Sequence, residues 1–227
     1  MTFKKASLEV CIDSFESASN ALAGSADRIE VCSILACGGL TPSAGLVRLL
    51  RKKFPTSKLY SMLRPRPSDF IYTENEILTV LEDIVTLRQA GSDGFVFGAL
   101  VQQKGLADWK TSLETIIDLG FSAILTSGLA NTAHEGLEVL RGLVEAADGR
   151  IEIIAGGGVN HSNTWDIQGT GVDWVHASCS GSVIQHQKNT ISMGAFDPDI
   201  TKETCIFTTQ TLKNSVRNFN LKEVPKE

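Results

Sequence analysis

The sequence predicts a parallel α/β protein whose sheet curls into a barrel, and three observations carry that expectation. Seven short β-branched or aliphatic runs alternate with stretches of helical spacing as far as residue 180. The phrases AGSADRIEV, QAGSDGFVF, DLGFSAILT and GTGVDWVHA each end a helix at or beside a glycine and turn directly into the next strand, so one βα unit is repeated. The loop after the first strand, CIDSFESA, holds no glycine, which disfavours the open doubly wound sheet with its Gly-rich dinucleotide turn.

The expected strands are 8–12, 28–32, 58–63, 94–99, 123–126, 151–155 and 173–177. Their starts advance by about 28 residues on average, close to the size of a βαβ module. The helix expected at 14–22 opens on Ser14 as a cap, that at 73–89 opens T-E-N-E as a capping box, and that at 108–119 stops at Gly120. Thr41-Pro42 marks a further helix start with Pro42 at the first position. A closed (β/α)8 barrel needs eight units. Residues 1–180 hold seven and form the barrel domain, with 181–227 as a C-terminal loop and closing helix of the same domain.

Composition narrows the function. The 227 residues carry a formal net charge of -5, so a surface that neutralises many phosphates, and with it nucleic-acid binding, is not expected. No apolar stretch long enough for a membrane span occurs, and MTFKKASLEVCID lacks the apolar run of a secretion signal. Five cysteines form an odd set without a tight CxxC, which points to reduced thiols in the cytoplasm, or by the same argument the nucleus. No Ser-His-Asp order, HExxH, Walker loop or EF-hand pattern is present.

Two E-V-C triplets place Cys11 and Cys32 at the C-terminal ends of the first two strands, the end where barrels carry their sites. Alternation sends Val10 and Val31 towards the helices and both thiols inward. Such cysteines are either small core hydrophobes or a pair of soft ligands suited to Cu(I). Structural zinc is disfavoured because Cys32 and Cys37 have no second pair at matching spacing. For a small anion the candidates are Gly157 and Gly158 after the penultimate strand, Ser180 after the last, and Arg64 and Arg66 at the mouth of the third. The bland readings are a glycine turn and an ion pair of the arginines with Asp69 and Glu30. His134 and His161 receive no role, His176 reads as core packing, and Cys205 lies in the tail.

Taken in order, SLEVCIDS, SADRIEVCS, GGLTPSAGL, MLRPRPSDFIYT, GSDGFVFGAL, LGFSAILTSG, DGRIEII, AGGGVN and HASCS resemble the CutC copper homeostasis family over nearly all of residues 7–180. The resemblance implies a TIM-like (β/α) barrel, a cytoplasmic location, and copper handling with Cu(I) bound by cysteine thiolates rather than an enzymatic activity. Relatives carry a further helix and strand after VFGAL, whereas here VQQKGLAD leads straight to Trp109. About one βα unit, on the order of 30 residues, is absent. An open seam there predicts a less stable barrel and favours a homo-oligomer. Cys179 replaces the family's arginine in HASCS, and Cys37 replaces its acidic residue in the loop after the second strand. Both count as auxiliary thiols to Cys11 and Cys32. The rival reading is a barrel lyase, isomerase or hydrolase acting on a small phosphorylated or carboxylated substrate.

Overall fold

The computed structural model describes residues 5–100, 108–184 and 200–218. The SMGAF stretch at 192–196 and the junction 101–107, where relatives carry the extra unit, lie outside them. Strands β1 (Ser7–Ile12), β2 (Arg28–Val31), β3 (Leu59–Leu63), β4 (Gly94–Phe97), β5 (Ala123–Thr126), β6 (Glu152–Ala155) and β7 (Trp174–Ala177) form one parallel sheet. Its order is β4-β3-β2-β1-β7-β6-β5. This is a barrel's cyclic order with one break, because β7 pairs with β1 while no ladder joins β4 to β5 among the described residues. The barrel is therefore open, a shortened TIM-like fold whose seam falls where the sequence lacks a unit.

Local signals explain the helices between these strands. Helix α1 (Phe15–Ala23) is capped by Ser14, whose hydroxyl accepts from the Ser17 N–H. The full capping box of Thr73 and Glu76 opens α3 (Glu74–Ala90), which Gly91 ends in the left-handed region at φ 111°. Asp108 caps α4 (Trp109–Asp118), and α5 (Leu137–Ala147) and the short α6 (Thr164–Gln168) complete the alternation. One expected boundary is corrected: α2 (Ala44–Lys53) is capped by Ser43, two residues beyond Thr41, so Pro42 precedes the helix. Thr41 is held elsewhere, its hydroxyl accepting from the Arg64 N–H and its own N–H donating to the Arg64 carbonyl.

After β7 the chain forms an antiparallel hairpin, β8 (Ser180–Ile184) with β9 (Ile200–Thr204), and then the closing helix α7 (Ile206–Arg217). The hairpin has no counterpart in the sequence expectation. It packs on α1, where the Thr204 N–H donates to Ser17 Oγ and the Asn20 amide donates to the Thr204 carbonyl. Helix α7 fastens to the N-terminal half of the sheet through Lys213, buried and paired with Asp27, whose carboxylate also accepts from the Leu8 N–H.

Leu8, Val10, Ile12, Ile29 and Val31 are wholly buried against the helices. The seam is different: every residue of β4 is half-buried, Leu125 of β5 is 41% exposed, and α3 leaves Leu78 and Leu81 more than half exposed. These are the apolar surfaces that a further βα unit would cover. The backbone amides of β4 and β5 are expected to exchange with deuterium at least about tenfold faster than those of β1 and β2. Hydrogen exchange read by mass spectrometry checks this, and equal protection across the sheet would mean that the seam is closed in solution.

Candidate metal centre

Parallel pairing decides which side chains meet inside the sheet. Glu9 lies beside Arg28 on one side and His176 on the other, and Cys11 lies beside Glu30. All five face the lumen, because their neighbours Val10, Ile29, Val31 and Val175 fill the helix side. Arg28 is buried between the rings of Trp174 and Tyr60, at 4.0 and 4.4 Å, and pairs with Glu9. The second oxygen of Glu9 bonds His176 Nδ1 at 2.8 Å. Nε2 of the same ring lies 3.5 Å from Glu30 Oε2. The Cys11 sulfur, a Glu30 oxygen and a His176 nitrogen all lie within 4.8 Å of one another.

The electrostatics of this cluster are uneven. Burial pushes the Glu9 carboxyl up, but the imidazole of His176 and the Arg28 guanidinium outweigh it and hold the group below its ordinary value. Burial also drives Glu30, which stays raised despite its cationic neighbours. Desolvation opposes the charge on His176, yet Cys11, Glu9 and Glu30 hold the imidazolium well above its ordinary value. Glu30 Oε1 is buried and has no hydrogen-bond partner among the described residues, an uncommon state for a carboxylate.

Cys32 continues the inward face one pleat beyond Glu30. Its N–H donates to the Ile12 carbonyl at 2.8 Å, its sulfur lies 3.9 Å from the Glu30 carbonyl, and it is wholly buried. Burial and the nearby carboxylates push its thiol far up. Cys37 is half-buried on the loop after β2, its thiol donating to the Ile34 carbonyl at 3.2 Å. Cys179 is buried at φ 48°, and burial pushes its thiol up to about 11. Cys205 caps α7, where the Thr208 backbone N–H lowers its thiol.

The anion candidates are largely engaged with the protein itself. Arg64 is buried and donates to the carbonyls of Cys37, Gly39 and Ser68 while stacking on Phe70, so it clamps the loop after β2 onto the mouth of β3. Arg66 pairs with Glu76 and Asp69 and donates to the Ile71 carbonyl, fixing the start of α3. Glu30, the other suggested partner of these arginines, faces His176 instead. Gly157 and Gly158 adopt φ 98° and 69°, and the Gly157 carbonyl accepts from the Ala133 N–H. The Ser180 hydroxyl bonds that of Ser178 at 3.1 Å.

Three members of the cluster escaped sequence reasoning as site residues: Glu9, Arg28 and His176. A signal existed, since each E-V-C triplet that turns a cysteine inward turns a glutamate inward too, and an inward carboxylate demands a cation nearby. Only the β1–β7 register, with His176 directly beside Glu9, supplies the third.

The comparisons with known proteins agree with this architecture. The model of the CutC family matches residues 6–107 and 104–181, two pieces that meet where the unit is missing. The copper homeostasis protein cutC homolog of Caenorhabditis elegans is 41% identical over 237 residues, covering 92% of this chain and 95% of its own. That alignment is longer than the 227-residue chain, so the relative carries residues that this chain lacks. A CutC protein of Streptococcus agalactiae superposes with a TM-score of 0.70 at 29% identity, covering 76% of this chain and 98% of that one. An aldolase at 15% identity and a TM-score of 0.54, covering 78% of this chain and 92% of its own, shares the fold alone.

The cluster makes a stability prediction whose sign follows from linkage. A carboxyl raised in the folded state costs stability as pH rises from its unfolded value, 4.5, through its folded one. A raised imidazole loses its contribution as pH rises above 6.5. Glu30→Gln removes the first effect, so metal-free protein carrying it is expected to lose less stability than wild type as pH rises from 4.5 to 7. Urea unfolding between pH 4.5 and 8 measures it. A variant that loses stability from pH 4.5 to 7 as steeply as wild type would contradict the assignment.

Proposed function

This chain belongs to the CutC family, and we propose that it is a copper-handling protein that binds Cu(I) in its lumen through Cys11 and Cys32. The observation that carries this reading is that both thiols face the lumen from adjacent strands. Cys11 lies beside Glu30, so Cys32 is its diagonal neighbour, a relation that spaces backbones about 7–8 Å apart. Two sulfurs leaning together across that distance can hold an ion that favours sulfur and accepts two ligands. Cys37, on the loop after β2, and Cys179, just after β7, serve as auxiliary thiols. A reducing compartment, the cytoplasm, suits a site made of free thiols. No helix among the described residues is long and apolar enough to cross a membrane.

Burial and neighbouring carboxylates hold the Cys32 proton on its sulfur, so the ion has to displace it. Binding is expected to release protons and to weaken steadily as pH falls. Anaerobic Cu(I) titration against a competing chelator tests the reading. Cys11→Ser or Cys32→Ser should abolish tight binding, Cys37→Ser and Cys179→Ser should weaken it, and Cys205→Ser should leave it unchanged. Unchanged affinity and stoichiometry in the Cys11→Ser, Cys32→Ser double variant would overturn it.

A further inference from the structure

We propose a second mode of metal binding at the same lumen: a divalent ion of borderline softness, such as Zn(II), held by Cys11, His176 and Glu30 with one position left to solvent or a ligand. The inference shares Cys11 with the Cu(I) reading and goes beyond it, because it needs His176 and Glu30 and does not need Cys32.

Geometry is the first support. The three donors already lie within 4.8 Å of one another. The 3.5 Å between His176 Nε2 and Glu30 Oε2 is long for a hydrogen bond. It is close to the edge, about 3.4 Å, of a tetrahedron whose ligands sit about 2.0–2.1 Å from a central Zn(II). The thiolate, with its longer bond of about 2.3 Å, has to close only modestly from where it lies.

The surrounding groups prepare the donors. Glu9 accepts a hydrogen bond from His176 Nδ1–H at 2.8 Å, which leaves Nε2 as the nitrogen that can ligate once a metal displaces its proton, the carboxylate–histidine–metal relay found behind many zinc ligands. Arg28 pairs with Glu9, which cancels that carboxylate's charge. Once a metal has displaced the protons of Cys11, Glu30 and His176 Nε2, the thiolate and the carboxylate supply two negative charges facing one point, which balance a divalent ion.

Glu30 supplies the independent observation. It is 1% exposed, and its Oε1 has no hydrogen-bond partner among the described residues. A buried carboxylate in that state is costly to the fold and has no packing role that an apolar side chain would not fill better. A hard oxygen ligand is also misplaced in a site meant for Cu(I) alone, whereas a set of one sulfur, one imidazole and one carboxylate suits Zn(II) or Co(II).

Co(II), whose bands report thiolate ligation and tetrahedral geometry, is the probe. Anaerobic titration of the full chain is expected to give one equivalent with a thiolate-to-cobalt charge-transfer band and intense visible bands, displaced by Zn(II). Glu30→Gln and His176→Asn should each weaken this by at least about tenfold. Cys11→Ser should remove the charge-transfer band, and Cys32→Ser should leave Co(II) binding within about threefold of wild type. X-ray absorption of the Zn(II)-loaded wild type needs no variant, and one sulfur with nitrogen and oxygen neighbours is expected. Two sulfurs in that shell, or Co(II) affinity lost in Cys32→Ser and kept in Glu30→Gln, would overturn the proposal while leaving the Cu(I) reading intact. Cu(I) binding unaffected by Cys32→Ser, beside Co(II) binding that needs Glu30, would overturn the Cu(I) reading alone.

Discussion

Glu9 is the hinge of the molecule's polar interior. One oxygen accepts from Arg28 on β2 and the other from His176 on β7, so a buried carboxylate at the middle of β1 ties three neighbouring strands. Each partner answers a cost that another creates. Without Arg28 the carboxylate would be a buried charge with part of its compensation gone, and without Glu9 the guanidinium would lose its ion pair and keep its aromatic sandwich and its attraction to Glu30. The pairing also fixes the direction in which His176 points, which leaves Nε2 aimed at Glu30. The register of the central strands and the chemistry of the lumen are therefore one arrangement.

The missing unit acts on a different part of the sheet. In the order β4-β3-β2-β1-β7-β6-β5, the strand that carries Glu9 and Cys11 is the middle one, three strands from either free edge. Losing a unit between β4 and β5 exposes ladder groups and apolar side chains at the seam, while β2, β1 and β7 keep both neighbours. The structural consequence of the deletion is confined to the seam. The lumen cluster is spared because the break lies opposite to it.

How far the sequence went depends on whether the deciding force was local. Ser14, Thr73 and Asp108 each start a helix through hydrogen bonds spanning two or three residues, and their positions were readable. The seven strands were readable because each is a short run rich in aliphatic and β-branched residues, and all but the first follow a helix stop. Ser43 displaced the expected start at Pro42, since Thr41 is drawn to Arg64 on β3, a contact that no local pattern announces. The β8–β9 hairpin escaped because its anchors on α1 are more than 180 residues away in sequence. The inward turn of Cys11 and Cys32 followed from alternation alone. The role of His176 did not, because it rests on the pairing of the last strand with the first.

The same distinction separates the surroundings of Arg64 and Arg66 from those of Glu30. Arg64 and Arg66 flank a proline at a strand end, where sequence suggests two free forks, but the loops they join have carbonyls that need donors. Backbone carbonyls take up most of the Arg64 and Arg66 donors, while Arg64 Nε is buried without a hydrogen-bond partner among the described residues. Glu30 meets the opposite circumstance: its surroundings offer too few donors for its oxygens, and the Oε1 left over lies beside a thiol and an imidazole. A protein selected for stability alone would place an apolar residue there. A carboxylate kept there at a cost to the fold is the group that the proposed divalent ion would complete.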